Sequence, residues 1–139
     1  MRKVETVVIS GVSYHLQQLG AKEGRAVLAR LIKMGSAFAA DDEAVAVKQF
    51  ADSLTEENLA YFCEAFAKVT AFTPEGQPDT TRLLLKDQFD DHFAGAYGAM
   101  VKWLWASIKC NFASFLGELQ GGEGMPSLLQ NLVPRKANP

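Results

Sequence analysis

Residues 88–110 read QFDDHFAGAYGAMVKWLWASIKC. Apolar residues recur through this stretch at helical spacing, and this pattern predicts one continuous helix about 33 Å long. The apolar side chains form two parallel stripes: Phe89, Phe93, Tyr97, Met100, Leu104 and Ile108 in the first, and Ala96, Ala99, Trp103, Ala106 and Cys110 in the second. Because one small domain can hardly cover every side of such a helix, we expect part of it to meet another protein.

Two features of this predicted helix bear on what it contacts. Trp103 and Trp105 are two positions apart and point about 200° away from each other, so we expect that both cannot face one core. Tryptophan is enriched at protein interfaces, which leaves partner contact and simple burial open for either ring. The segment Gly95–Gly98 predicts close approach of another backbone, since glycine inside a helix costs about 1 kcal/mol relative to alanine.

The rest of the chain predicts an α+β, helix-dominated fold. Residues 4–17 alternate in polarity around Ser10-Gly11, which is typical of a tight β-hairpin. Helices are predicted over residues 21–39, after Asp41-Asp42-Glu43, after the N-cap Thr55, and over the short segment 112–119. Residues 73–81 form a loop, and the runs 69–72 and 82–85 on either side of it could pair as a second hairpin.

These elements predict one domain, an N-terminal β-hairpin packed on about four helices, with the long aromatic helix near the C-terminus. We assign residues 1–120 to this domain. Residues 121–139 follow the glycine-rich run Gly121-Gly122-Glu123-Gly124 and are predicted to be a flexible C-terminal tail.

Composition narrows the functional classes. The formal net charge is −2 and the pI is about 5.7, without the Lys and Arg surplus of a nucleic-acid binder. Cys63 and Cys110 lie inside apolar helical patterns, which favours two buried thiols in a reducing compartment. The N-terminus lacks the pattern of a signal peptide, and no apolar run is long enough to span a membrane. We therefore expect a cytoplasmic protein.

Few residues are candidates for catalysis or for metal binding. Asp87, Asp90, Asp91 and His92 could ligate a divalent ion, although acidic residues in the first turn of a long helix also complement its dipole. We favour the second interpretation and keep a metal-dependent enzyme as an alternative. No Gly-x-Ser-x-Gly elbow occurs, and the run 121–124 lacks the ending of a phosphate-binding loop. The sequence thus predicts no catalytic residues, no metal and no cofactor.

Several stretches carry a family resemblance. Residues 90–98, continuing through 102–105 and 111–115, resemble the C-terminal half of tail assembly chaperones of long-tailed bacteriophages. The hairpin ending in Tyr14-His15-Leu16, followed by Gly24–Leu31, is similar to their N-terminal half. The likeness covers roughly residues 4–118 and extends to the order of the elements.

The resemblance implies a non-enzymatic protein of a phage or prophage, acting in the host cytoplasm. Such chaperones bind the long, helical tape measure protein, keep it soluble and help to recruit tail tube subunits. We expect Tyr97, Trp103, Trp105, Phe112 and Phe115 to be the residues that contact the partner. Some of them could instead serve self-association, since these chaperones often multimerise. A small regulatory or inhibitory module that docks on a host protein remains the alternative.

Overall fold

The computed structural model describes residues 2–34 and 42–120, with side chains described up to residue 113. In chain order the described elements are β1 Val4–Ile9, β2 Val12–Gln17, α1 Ala21–Met34, α2 Glu43–Ser53, α3 Glu56–Ala67, β3 Thr70–Thr73, β4 Leu83–Leu84, α4 Leu85–Phe93 and α5 Tyr97–Gln120. This arrangement confirms the predicted α+β, helix-dominated fold with an N-terminal hairpin, and five helices lie in the described ranges.

The predicted hairpins are both present and belong to one antiparallel sheet with strand order β1-β2-β3-β4. Ser10 and Gly11 connect β1 to β2 with φ values of 52° and 82°, as a two-residue turn with both central residues left-handed requires. The loop predicted over residues 73–81 separates β3 from β4. The pairing of β2 with β3, which joins the two hairpins, has no signal in the local sequence.

One face of the sheet packs against α3, α4 and α5. Tyr14 on this face is 1% exposed, and its ring lies 6.2 Å from that of Phe93 and 6.4 Å from that of Phe72. Across the sheet's other face His15 hydrogen-bonds through Nδ1 to Thr6 and through Nε2 to Thr73. These side-chain hydrogen bonds link β1 and β3 to β2.

Two of the predicted helix starts are confirmed by their caps. Asp42 accepts hydrogen bonds from the backbone N–H groups of Ala44 and Val45 at 2.7 and 3.3 Å, ahead of α2. Thr55 accepts one from Asn58 at 3.0 Å, ahead of α3. Helix α1 begins at the predicted residue and is described as far as Met34, so its predicted last residues lie outside the described part, as does the predicted tail 121–139.

The prediction of one continuous helix over residues 88–110 is wrong. Helix α4 ends at Phe93 and α5 begins at Tyr97, with Gly95 between them at a φ of 74°. This left-handed conformation is easy for glycine and interrupts the helical hydrogen bonds. The first apolar stripe is therefore divided between two helices that pack together, whereas the second lies in α5 except for Ala96, which precedes it.

The same boundaries correct the interpretation of the acidic residues. Helix α4 begins at Leu85, so Asp87 is the acidic residue in its first turn, while Asp90 and Asp91 lie beyond it. The short helix predicted over residues 112–119 is present: the helical run Tyr97–Gln120 has a kink at Phe112 (φ −130°, ψ 22°), where two helices meet, and the second continues to Gln120.

Trp103 and Trp105 are both buried, with exposures of 0% and 5%, which overturns the expectation that they cannot share one core. Trp103 faces α4 and the sheet, and its Nε1 donates to Thr70 Oγ1 at 3.2 Å. Trp105 faces α2, where its Nε1 donates to Glu43 and its ring lies 5.3 Å from Phe50. Both rings are buried because the core surrounds α5 on two sides.

The close backbone approach predicted at Gly95–Gly98 is not found among the described residues. A methyl group built at Gly95 or Gly98 meets no atom within 4 Å, so packing does not demand glycine at either position. The two glycines differ in backbone conformation: Gly95 has a positive φ, whereas Gly98 lies in the first turn of α5.

This difference predicts opposite effects of the same substitution. Gly95→Ala should lower the free energy of unfolding by about 1 kcal/mol, because a left-handed alanine is strained. Gly98→Ala should raise it by about 0.5 kcal/mol, because alanine loses less chain entropy in a helix. Urea unfolding followed by circular dichroism measures both values, and shifts in the same direction would contradict the assigned α4–α5 break.

Candidate partner-binding groove

A groove with a volume of about 620 Å³ lies between α3 and α4. Its walls are Ala60, Cys63, Glu64, Ala67 and Lys68 from α3 and its end, and Lys86 and Phe89 from α4. We call this feature the α3–α4 groove. Its size is in the range of pockets that bind small molecules or a few side chains of another protein.

The groove follows from the distribution of side-chain size around α3. Phe62 and Phe66, one turn apart, are fully buried in the core. The face toward α4 instead carries Ala60, Cys63 and Ala67, which are too small to fill the space between the two helices. The sequence contains this signal, because small residues at positions i, i+3 and i+7 lie on one side of a helix.

Phe89 provides the largest apolar surface in the groove. Its ring lies 5.3 Å from that of Phe93 and 6.0 Å from that of Trp103, in edge-to-face arrangements. Edge-to-face aromatic pairs fix ring orientation and add roughly 0.5–1.5 kcal/mol beyond burial. The buried Trp103 therefore holds Phe89 in place and shapes the groove from below.

Charged residues lie at the rim of the groove. Glu64 is exposed on α3 and Lys86 is exposed on α4. Lys68 forms an ion pair with Glu23 of α1 at 3.4 Å. The α3 side of the rim thus carries Glu64 and the paired Lys68, the α4 side carries Lys86, and the floor between them is apolar.

The thiol at the floor of the groove is not a prepared nucleophile. Burial raises the pKa of Cys63 to about 11, so the thiol is protonated at neutral pH. Cys110 is also buried, and burial raises its pKa as well. An apolar floor with a protonated thiol suits the burial of partner side chains better than covalent chemistry.

The residues considered as a metal site, Asp87, Asp90, Asp91 and His92, are not grouped around a common point. Asp87 and Asp91 are exposed, whereas the Nε2 atom of His92 lies 2.7 Å from the hydroxyl of Tyr14 in a hydrogen bond. Burial lowers the pKa of His92 and raises that of Tyr14 to about 12, so both groups are neutral at pH 7. Within residues 2–34 and 42–120, no three His, Cys, Asp or Glu side chains are grouped to hold a metal ion.

The five expected contact residues do not lie together. Tyr97 is 66% exposed at the start of α5, while Trp103 and Trp105 are buried. Phe112 is half-buried and lines a second cavity of about 340 Å³ between the end of β2, α1 and α5. The side chain of Phe115 lies outside the described part. None of the four described residues lines the α3–α4 groove, although Trp103 packs against Phe89 there.

Comparisons with known proteins agree with the resemblance seen in the sequence. A family model described as phage tail assembly chaperone protein, TAC, matches residues 10–124. No curated protein matched the chain, and neither did any solved structure. Among the described helices, none has both the length and the apolar character needed to cross a bilayer. The matched residues contain α3, α4 and the groove between them.

Proposed function

This chain belongs to the phage tail assembly chaperone family, and we propose that it binds the tape measure protein in the α3–α4 groove. In this role it keeps the tape measure protein soluble in the host cytoplasm and helps to recruit tail tube subunits. It does so without catalysis, by covering apolar surface that would otherwise aggregate.

The groove is the observation that carries this proposal. It offers the exposed Ala60 and the half-buried ring of Phe89 above a buried floor of Cys63 and Ala67, framed by charged residues that keep the empty groove compatible with water. Each large aliphatic side chain buried there would contribute roughly 1.5–3 kcal/mol. Two or three such side chains, less the cost of association, give weak and reversible binding. Reversibility suits a chaperone, which must release its client when the tube forms.

The expected contact residues that do not line the groove have different roles in this proposal. Tyr97 is the exposed aromatic ring that we assign to a second contact, with the tail tube protein or another copy of the chain. Phe112 and Phe115 are proposed contacts at the far end of α5. Trp103 and Trp105 act from inside the core, Trp103 by supporting Phe89 and Trp105 by fixing α2 against α5.

Co-expression with the tape measure protein encoded nearby tests the proposal. We expect the soluble fraction of the tape measure protein to rise severalfold when this chain is present, and the two proteins to co-purify. The soluble fraction is measured by quantitative gel analysis after centrifugation, with an empty plasmid as the control. An unchanged soluble fraction together with no co-purification would refute the proposed function.

A further inference from the structure

We infer that the α3–α4 groove takes a single amphipathic helix of the partner, whose apolar face has a basic residue on one flank and an acidic residue on the other. This inference rests on the proposed function and specifies the shape and charge of the bound segment. It follows from the length of the groove, from the backbone of its walls and from its rim charges.

The length of the groove fits a short helical segment. Its floor runs along α3 from Ala60 to Ala67, which spans about 10 Å or two helical turns. Apolar residues at positions i, i+3 or i+4, and i+7 of a partner helix would reach along this floor. The small side chains at Ala60, Cys63 and Ala67 allow the backbone of that helix to come close.

The walls favour a helix over an extended strand. Both walls are helices, whose backbone N–H and C=O groups are already paired within α3 and α4. A strand buried in the groove would leave its own backbone groups without partners, which is unfavourable for each buried group. A helix pairs these groups internally and presents only side chains to the groove.

The rim charges define the flanks of the bound helix. Glu64 on the α3 wall and Lys86 on the α4 wall are exposed, and neither forms an ion pair within the described ranges. Lys68 already has Glu23 as its partner. A basic residue facing Glu64 and an acidic residue facing Lys86 would therefore complete the pairing. Exposed ion pairs contribute little to affinity, but like charges in their place select against a wrong partner.

Three synthetic helical peptides with the same leucine-rich apolar face test these charges. One carries lysine on both flanks, one glutamate on both, and one lysine on one flank and glutamate on the other. Fluorescence anisotropy at low salt should show that the wild-type chain binds the mixed peptide about fivefold more tightly than the other two.

Each charge reversal in the full chain should change which of the three peptides binds most tightly. Lys86→Glu makes both unpaired rim charges acidic and should shift the preference to the lysine-flanked peptide. Glu64→Lys makes both walls basic and should shift it to the glutamate-flanked peptide. Lys33→Glu, at an exposed position in the last turn of α1 that lines neither cavity, is the matched control and should keep the wild-type order.

Several outcomes would overturn the inference. An unchanged order in Lys86→Glu and Glu64→Lys would exclude the rim charges as flank determinants. Equal binding of a mixed peptide with proline at its centre would exclude a helical occupant. Dimers that dissociate in Lys86→Glu, seen by sedimentation, would make a second copy of the chain the occupant. If the wild-type chain binds none of the peptides but still solubilises the tape measure protein, the inference falls and the proposed function stands. The reverse result would refute the proposed function alone.

Discussion

Replacing Trp103 with alanine is expected to lower the free energy of unfolding by about 3–5 kcal/mol. Trp103 is fully buried, and its ring lies within 6.0 Å of those of Phe89 and Phe93. The substitution leaves a cavity at the junction of α4, α5 and the sheet, and it removes the hydrogen bond to Thr70. For a domain with a typical stability of about 5–15 kcal/mol, this is a large fraction of the total.

Guanidinium unfolding followed by circular dichroism measures this loss. The matched control is Tyr97→Ala, which removes another aromatic ring of α5 but at a position that is 66% exposed. We expect Tyr97→Ala to change the free energy of unfolding by no more than about 0.5 kcal/mol. Similar losses in the two variants would contradict the central position of Trp103. The stability loss also means that Trp103→Ala cannot by itself identify a binding contact.

The second large effect is expected from Ala60→Trp in the α3–α4 groove. Ala60 is exposed on α3 and lines the groove, so an indole ring there occupies space that a partner helix needs. The change should abolish co-purification of the tape measure protein. It should cost only about 0.5 kcal/mol in stability, because it adds a bulky residue at an exposed helical position and disturbs no core contact.

Ala29→Trp provides the control for this experiment. Ala29 is exposed on α1 and lines neither of the two cavities described above. It introduces the same ring on another helix and should leave co-purification at the wild-type level. Equal recovery of the tape measure protein with Ala60→Trp and with Ala29→Trp would place the binding surface elsewhere on the chain.

Elements with a local physical cause could be predicted from the sequence. The turn at Ser10-Gly11 needs residues that tolerate a positive φ, and the cap at Thr55 needs a side-chain oxygen beside free N–H groups. Both signals lie within a few residues of the structure that they determine. The family resemblance likewise came from short stretches, and the match over residues 10–124 confirms it.

Features that depend on distant residues could not be predicted. The apolar period of residues 88–110 continues across Gly95, so periodicity alone did not reveal the break between α4 and α5. The burial of Trp105 depends on Phe50 in α2, and His92 is paired with Tyr14 from the opposite end of the chain. The α3–α4 groove also arises only where two helices meet.

The most direct test of the account is photo-crosslinking from the groove itself. A photoreactive phenylalanine derivative replaces Lys86, at the exposed rim of the groove, in one chain and Ala29 in another, and each chain is co-expressed with the tape measure protein. After irradiation, we expect a covalent adduct from position 86 and none from position 29, with the crosslinked peptide mapping to an amphipathic helical segment. Adducts of equal yield from both positions, or from position 29 alone, would contradict binding in the α3–α4 groove.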